Sequence, residues 1–104
     1  MIIQINTDNN IAGSERQTAY LDDTISETLL RFSDKISRLE VHLSDENSHK
    51  SGLNDKRCML EARIEGMQPI AVTNQAGSTE QAIKGALDKL TASLHTIFGK
   101  LKTY

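Results

Sequence analysis

The chain has 104 residues, of which 38% are hydrophobic and 25% charged, and its formal net charge at pH 7 is −2. This length and composition are typical of one globular domain, so we expect a single domain over residues 1–104. The net charge argues against strong nonspecific binding to nucleic acid. One cysteine excludes an internal disulfide, and the chain shows no signal-peptide pattern or membrane-length apolar run. These features predict a soluble cytoplasmic protein.

The first two predicted elements are a short strand and a helix. Ile3 and Ile5 alternate with Ile2, Gln4 and Asn6 at the N-terminus, which is the pattern of a strand. Ser14 then opens a capping box, and the apolar stripe after it predicts a helix near Glu15–Phe32. The stripe consists of Leu21, Ile25, Leu29 and Phe32.

The outward side of this helix is acidic, with carboxylates at Asp22, Asp23 and Glu27. Two adjacent carboxylates would suggest a metal site or an acid–base pair. Neighbouring helix positions point about 100° apart, however, so Asp22 and Asp23 do not share a direction. The pattern favours a solvated acidic face.

From Ile36 onward the apolar residues recur at every second position, which predicts strands. A second strand is followed by a polar loop over Ser44–Asp55, a third strand with Cys58 on its apolar side, and a tight turn. A short fourth strand covers Ile70–Thr73. Strands with one apolar and one charged face are typical of an antiparallel sheet that is exposed to solvent on one side.

The longest predicted element is a C-terminal helix over Gln81–Lys102, preceded by a capping-box serine at Ser78. One continuous apolar stripe runs along it, formed by Ile83, Leu87, Leu90, Leu94, Ile97, Phe98 and Leu101. A helix with such a stripe is stable only when another part of the protein packs against the stripe. The element order therefore predicts an α+β fold with two layers, β-α-β-β-β-α, in which two helices pack on one face of a four-stranded sheet.

Catalytic and metal-binding motifs are not evident. Cys58 is in phase with the apolar residues of its strand and is predicted to be a core residue. His42, His49 and His95 have no metal-ligand spacing, and no phosphate-binding loop or nucleophile motif is found. We expect no enzyme activity, no cofactor and no metal.

Three segments carry a resemblance to a known family. Ile36–Asn47 resembles the second-strand region of the ribosome hibernation-promoting factor (RaiA-type ribosome-associated inhibitor) family. Asp55–Arg63 is similar to the third strand of its short form, and Gln81–Leu90 to its final-helix motif, an Ala-Ile pair followed by Lys-Leu. The resemblance covers nearly the whole chain, and the element order of the family agrees with the order above.

The resemblance implies a factor that binds the small ribosomal subunit near the decoding centre and inhibits translation during hibernation under stress. Its partner would be ribosomal RNA, with no membrane and no small-molecule substrate. In the family, lysines and arginines on the helices make the RNA contacts. The positions of this chain that correspond are Arg31, Lys35, Lys84, Lys89, Lys100 and Lys102.

The first helix departs from the family pattern, which repeats Lys-Leu where this chain reads Glu27-Thr28-Leu29-Leu30-Arg31-Phe32. The acidic residues of this helix stand where phosphates would approach, and each lost phosphate contact weakens binding. A second function therefore stays open: a protein–protein interaction module that kept the fold but lost rRNA binding. A continuous positive band on the helices would favour the first function, and its interruption by the carboxylates would favour the second.

Overall fold

The computed structural model describes residues 1–7, 15–45 and 56–101, except for the side chains of 15–18 and 100–101. Four strands form one sheet in the order β1-β2-β3-β4, and two helices pack on one face of it. This confirms the predicted α+β fold and its β-α-β-β-β-α order. The elements are β1 (Ile2–Thr7), α1 (Glu15–Thr28), a short 3₁₀ helix (Leu30–Phe32), β2 (Ile36–Asp45), β3 (Lys56–Ile64), β4 (Ile70–Ala76) and α2 (Thr79–Leu101).

The sheet is mixed. β1 pairs in parallel with β2, while β2 with β3 and β3 with β4 are antiparallel pairs. The antiparallel pairing of the three later strands agrees with the prediction. β1 is parallel to its neighbour because α1 carries the chain back across the sheet before β2 begins, as parallel connections require.

The core lies between the sheet and the helices, and its strand residues come from alternate positions. Leu39, Val41 and Leu43 of β2 are buried, as are Cys58 and Leu60 of β3. The helices contribute their predicted stripes, including Leu90, whose exposed fraction is 0%. Ile97 is only partly buried, and the side chain of Leu101 lies outside the described part. No helix in the described ranges is long and apolar enough to cross a membrane.

The end of the first helix differs from the prediction. α1 stops at Thr28, and the chain continues through the tighter 3₁₀ helix, in which Phe32 N–H donates to Leu29 O at 2.9 Å. Lys35 N–H then donates to Phe32 O at 2.9 Å as the chain turns into β2. Phe32 is buried, as the predicted stripe requires, while Leu30 is 70% exposed.

β2 is longer than predicted at the polar loop, whereas β3 begins directly after the predicted end of that loop. β2 extends to Asp45 and β3 begins at Lys56, and an ion pair of 2.8 Å joins these two residues. The predicted loop Ser44–Asp55 is therefore shorter, and its residues 46–55 lie outside the described ones. β4 likewise continues beyond the predicted Thr73 to Ala76.

The start of α2 confirms the predicted cap. Gln81 N–H donates to Ser78 Oγ at 3.1 Å, and Ala82 N–H donates to Ser78 O at 2.9 Å. The predicted capping box at Ser14 lies outside the described residues.

Candidate nucleic-acid interface

The two helices lie side by side and run in the same direction. Near their starts, the Tyr20 hydroxyl donates to Glu80 Oε1 at 3.0 Å. Near the end of α2, the Phe32 ring of the 3₁₀ helix that follows α1 meets His95 edge to face with 5.2 Å between centroids, and stacks with Phe98 at 5.9 Å. The end of α2 and the end of this 3₁₀ helix therefore lie together.

A cleft of about 300 Å³ opens between these two ends. We call it the helix-end cleft, and its lining residues are Arg31, Phe32, Lys35, His95, Phe98 and Gly99. Its two phenylalanines are buried and form an apolar floor, whereas its two cations and His95 are exposed around it. Lys35 Nζ lies 5.8 Å from the centroid of the Phe98 ring, close enough for a cation–π contact.

Several cations elsewhere are engaged by polar groups of the protein itself. On the sheet face that points away from the helices, Arg63 lies 3.8 Å from Glu40 and 3.7 Å from Glu61. On the β4 side of α2, Lys89 Nζ donates to Thr73 O at 2.7 Å. These contacts partly satisfy the positive charges, which are then less available to another molecule.

Arg31, Lys35 and Lys84 differ from this pattern. Within the described residues, none of these three side chains forms a hydrogen bond or an ion pair. Arg31 and Lys35 converge on the helix-end cleft, so that two unpaired positive charges point into the same open volume.

The remaining predicted site residues are spread over the molecule. Lys84 lines a separate cavity of about 60 Å³ near the helix starts, together with Tyr20 and Glu80. Lys89 lies on the side of α2 that faces β4. Lys100 belongs to α2 but its side chain lies outside the described part, and Lys102 is outside it altogether. The structure thus brings together two of the six predicted cations.

The acidic side chains of α1 interrupt the positive charge on the helical surface. Asp22, Asp23 and Glu27 are all exposed. At about 100° per residue, Asp23 and Glu27 point away from the buried Ile25 and therefore away from the sheet. On the helix side of the described structure, Arg31 and Lys35 lie together at the helix-end cleft, whereas Lys84 and Lys89 lie apart from them, so these cations do not form a continuous band.

His95 belongs to the cleft, and sequence reasoning missed it because only metal ligation was considered. It follows Lys84 by eleven positions, which places both on the same side of a helix at about 100° per residue. The position of His95 on the helix can be read from the sequence, but the proximity of His95 to Arg31 depends on the packing of the helices. Among the described residues no three potential metal ligands cluster together.

Comparison with known proteins gives a family and a fold. No curated protein sequence matches the chain. The N-terminal domain of Protein Y from Thermus thermophilus is similar in structure, with a TM-score of 0.72 and 18% identity over 93% of this chain and 99% of that one. A ribosomal subunit interface protein from Coxiella burnetii has a TM-score of 0.69 and 16% identity over 95% of this chain and 99% of that one.

At these identities the two structures show a shared fold. The family is shown by a sequence model, described as sigma 54 modulation protein / S30EA ribosomal protein, which matches residues 3–102. The chain therefore belongs to the sigma 54 modulation protein / S30EA ribosomal protein family, a family of ribosome-associated factors.

Proposed function

We propose that this protein binds ribosomal RNA of the small ribosomal subunit near the decoding centre and thereby inhibits translation, as a hibernation factor under stress. The family membership supports a ribosomal partner, and it is not an enzyme family. The observation that carries the proposal is that Arg31 and Lys35, two cations with unpaired side chains, lie at the same open cleft. This local positive charge is present although the net charge of the chain is −2.

The charge distribution supports an oriented mode of binding. RNA phosphates attract the cleft end of the helices and repel the acidic face of α1, defined by Asp22, Asp23 and Glu27. The protein would therefore approach RNA with the helix-end cleft first. Because few cations take part, the affinity should be moderate, and it should fall as the salt concentration rises but with a shallow slope.

The proposal is tested by sedimenting the full chain with purified bacterial small ribosomal subunits and by adding the chain to a bacterial translation extract. Co-sedimentation at low salt, release at high salt and a dose-dependent loss of protein synthesis are expected. Absence of co-sedimentation at every salt concentration would refute the proposal. Binding without any loss of synthesis would refute the inhibitory part.

A second function is favoured by the exposed acidic face of α1: a protein–protein interaction module that has lost rRNA binding. The triple variant Asp22→Asn, Asp23→Asn, Glu27→Gln separates the two functions. If RNA is the partner, removing three negative charges tightens binding to the small subunit, because phosphate repulsion is relieved. If the acidic face itself contacts a basic protein, the same variant weakens binding instead.

A further inference from the structure

The helix-end cleft has features that a simple phosphate contact does not require. A phosphate alone could be bound by exposed cations on any surface. Here Arg31 and Lys35 stand beside an exposed imidazole, His95, above the buried rings of Phe32 and Phe98. The cleft volume of about 300 Å³ is at the lower end of the range for small-molecule sites.

The orientation of His95 is set by its neighbour. Its ring meets the buried Phe32 ring at an interplanar angle of 83°, so a core residue holds the exposed imidazole at the cleft wall. An aromatic ring fixed in this way offers a stacking surface for a planar base, and base stacking tolerates any base because each has a π-face. The floor rings are less than 10% exposed, at 6% for Phe32 and 8% for Phe98, and leave little surface for stacking.

The charges around the cleft are asymmetric. Lys35 and Phe98 also line a neighbouring cavity, together with the acidic residues Asp34 and Glu65. A phosphate is repelled from that side of Lys35 and attracted to the side that holds Arg31. The carbonyl end of α2 adds about half a negative charge near the cleft, which two full positive charges outweigh.

We propose that the helix-end cleft is a subsite for one unpaired RNA nucleotide, with its phosphate between Arg31 and Lys35 and its base against the His95 ring. This inference rests on the proposed function, because it assigns the cleft one part of the RNA contact. It adds that the RNA at this point is single-stranded, since a base inside a duplex cannot stack on a protein side chain.

The test uses the full chain labelled with ¹⁵N and titrated with uridine 5′-monophosphate, uridine, inorganic phosphate and single-stranded hexauridylate. The monophosphate is expected to shift the amide signals of Lys35, His95 and Gly99. Uridine and phosphate alone should bind at least about fivefold more weakly, because each makes half of the contacts. Hexauridylate should shift the same signals at lower concentration.

Three variants and one control sharpen this test. Arg31→Gln and Lys35→Gln should each weaken binding of the monophosphate by about tenfold, the effect of losing one charged hydrogen bond. His95→Ala should remove the preference for the monophosphate over inorganic phosphate while leaving phosphate binding intact. Arg63→Gln removes the same charge from the opposite face of the sheet and should leave every titration unchanged.

Three results would overturn the inference. The first is the absence of shifts in the amide signals of the cleft residues at millimolar monophosphate. The second is an affinity for inorganic phosphate equal to that for the monophosphate, which would mean an anion site only. The third is binding of the free monophosphate with exclusion of hexauridylate, which would assign the cleft to a free nucleotide. If any of these occurs while the chain still sediments with small subunits, the subsite fails and the proposed function stands. If the cleft binds both the monophosphate and hexauridylate but the chain does not associate with ribosomes, the proposed function fails instead.

Discussion

The thiol of Cys58 is a core group. Its exposed fraction is 0%, and burial raises its pKa from 9.0 to about 12. A reactive cysteine requires exposure and a stabilised thiolate, and Cys58 has neither. The prediction from strand phase that this residue lies in the core is confirmed.

We expect a thiol reagent at pH 8 to label Cys58 slowly in the native protein and rapidly in denaturant. The folded state favours the protonated thiol because burial raises the pKa of Cys58. The contribution of this thiol to the free energy of unfolding should therefore be constant below about pH 9 and should decrease as the pH rises toward about 12. Mass spectrometry of the labelled protein checks the first point, and urea unfolding at several pH values the second. Rapid native labelling would show that the thiol is accessible.

Gly85 of α2 permits a close approach by Asn74 of β4. A Cβ atom at position 85 would lie 2.6 Å from Asn74 Cγ, which is far inside van der Waals contact. The amide of Asn74 also donates to Ala82 O at 3.2 Å, so the side chain is held at the helix.

Gly85→Ala should therefore destabilise the protein by about 1–3 kcal/mol, although alanine favours the helix by about 1 kcal/mol. Gly99→Ala is the matched control, since a Cβ there meets nothing within 4 Å, and it should be neutral or stabilising. Denaturant unfolding measures both variants. A gain in stability with Gly85→Ala would mean that Asn74 moves away at little cost.

At the scale of elements, the helix α2 is stabilised mainly by its apolar stripe. Leu90, in the middle of the stripe, is 0% exposed, whereas Leu30 of the 3₁₀ helix is 70% exposed. These two leucines allow the same substitution to be compared in the core and at the surface.

Leu90→Ala should lower the free energy of unfolding by about 2–5 kcal/mol through lost burial and a residual cavity. Leu30→Ala should change it by less than about 0.5 kcal/mol, as is usual for surface positions. Urea unfolding of the two variants tests the orientation of both helices. Similar effects at the two positions would contradict the burial of Leu90 and the exposure of Leu30.

The strands and helices were largely predictable because each shows its period directly. Alternate residues from Ile36 onward define the buried face of β2, and the four-and-three spacing around Leu90 defines that of α2. The end of α1 was not predictable, since Leu29, Leu30 and Phe32 continue an apolar run that fits a helix equally well. Their positions are decided by the packing of Phe32 against α2.

The candidate site was predictable only in part, because its residues are brought together by the packing of α2. Family resemblance pointed to Arg31 and Lys35, but the sequence does not reveal that His95, some sixty positions later, lies next to them. Nor does it reveal that Lys89 donates to a backbone carbonyl of β4. Both facts depend on how α2 lies across the sheet.

At the scale of the whole molecule, the distribution of charge matters more than its sum. The net charge of −2 would argue against an RNA-binding protein. The acidic side chains on the outer surface of α1 and the ion pairs on the open sheet face account for many of the carboxylates, while Arg31 and Lys35 remain unpaired at one end. A weakly acidic protein can in this way present a local cationic site.

The salt dependence of binding to the small ribosomal subunit is the most direct test of whether Arg31 and Lys35 contact RNA phosphates. The affinity of the wild type is compared with those of Arg31→Gln, Lys35→Gln and the control Arg63→Gln over a range of salt concentrations. If Arg31 and Lys35 contact phosphates, each substitution weakens binding and flattens the slope of log K against log salt by about 1, and the control behaves as wild type. Slopes and affinities identical to wild type in both cleft variants would contradict the account.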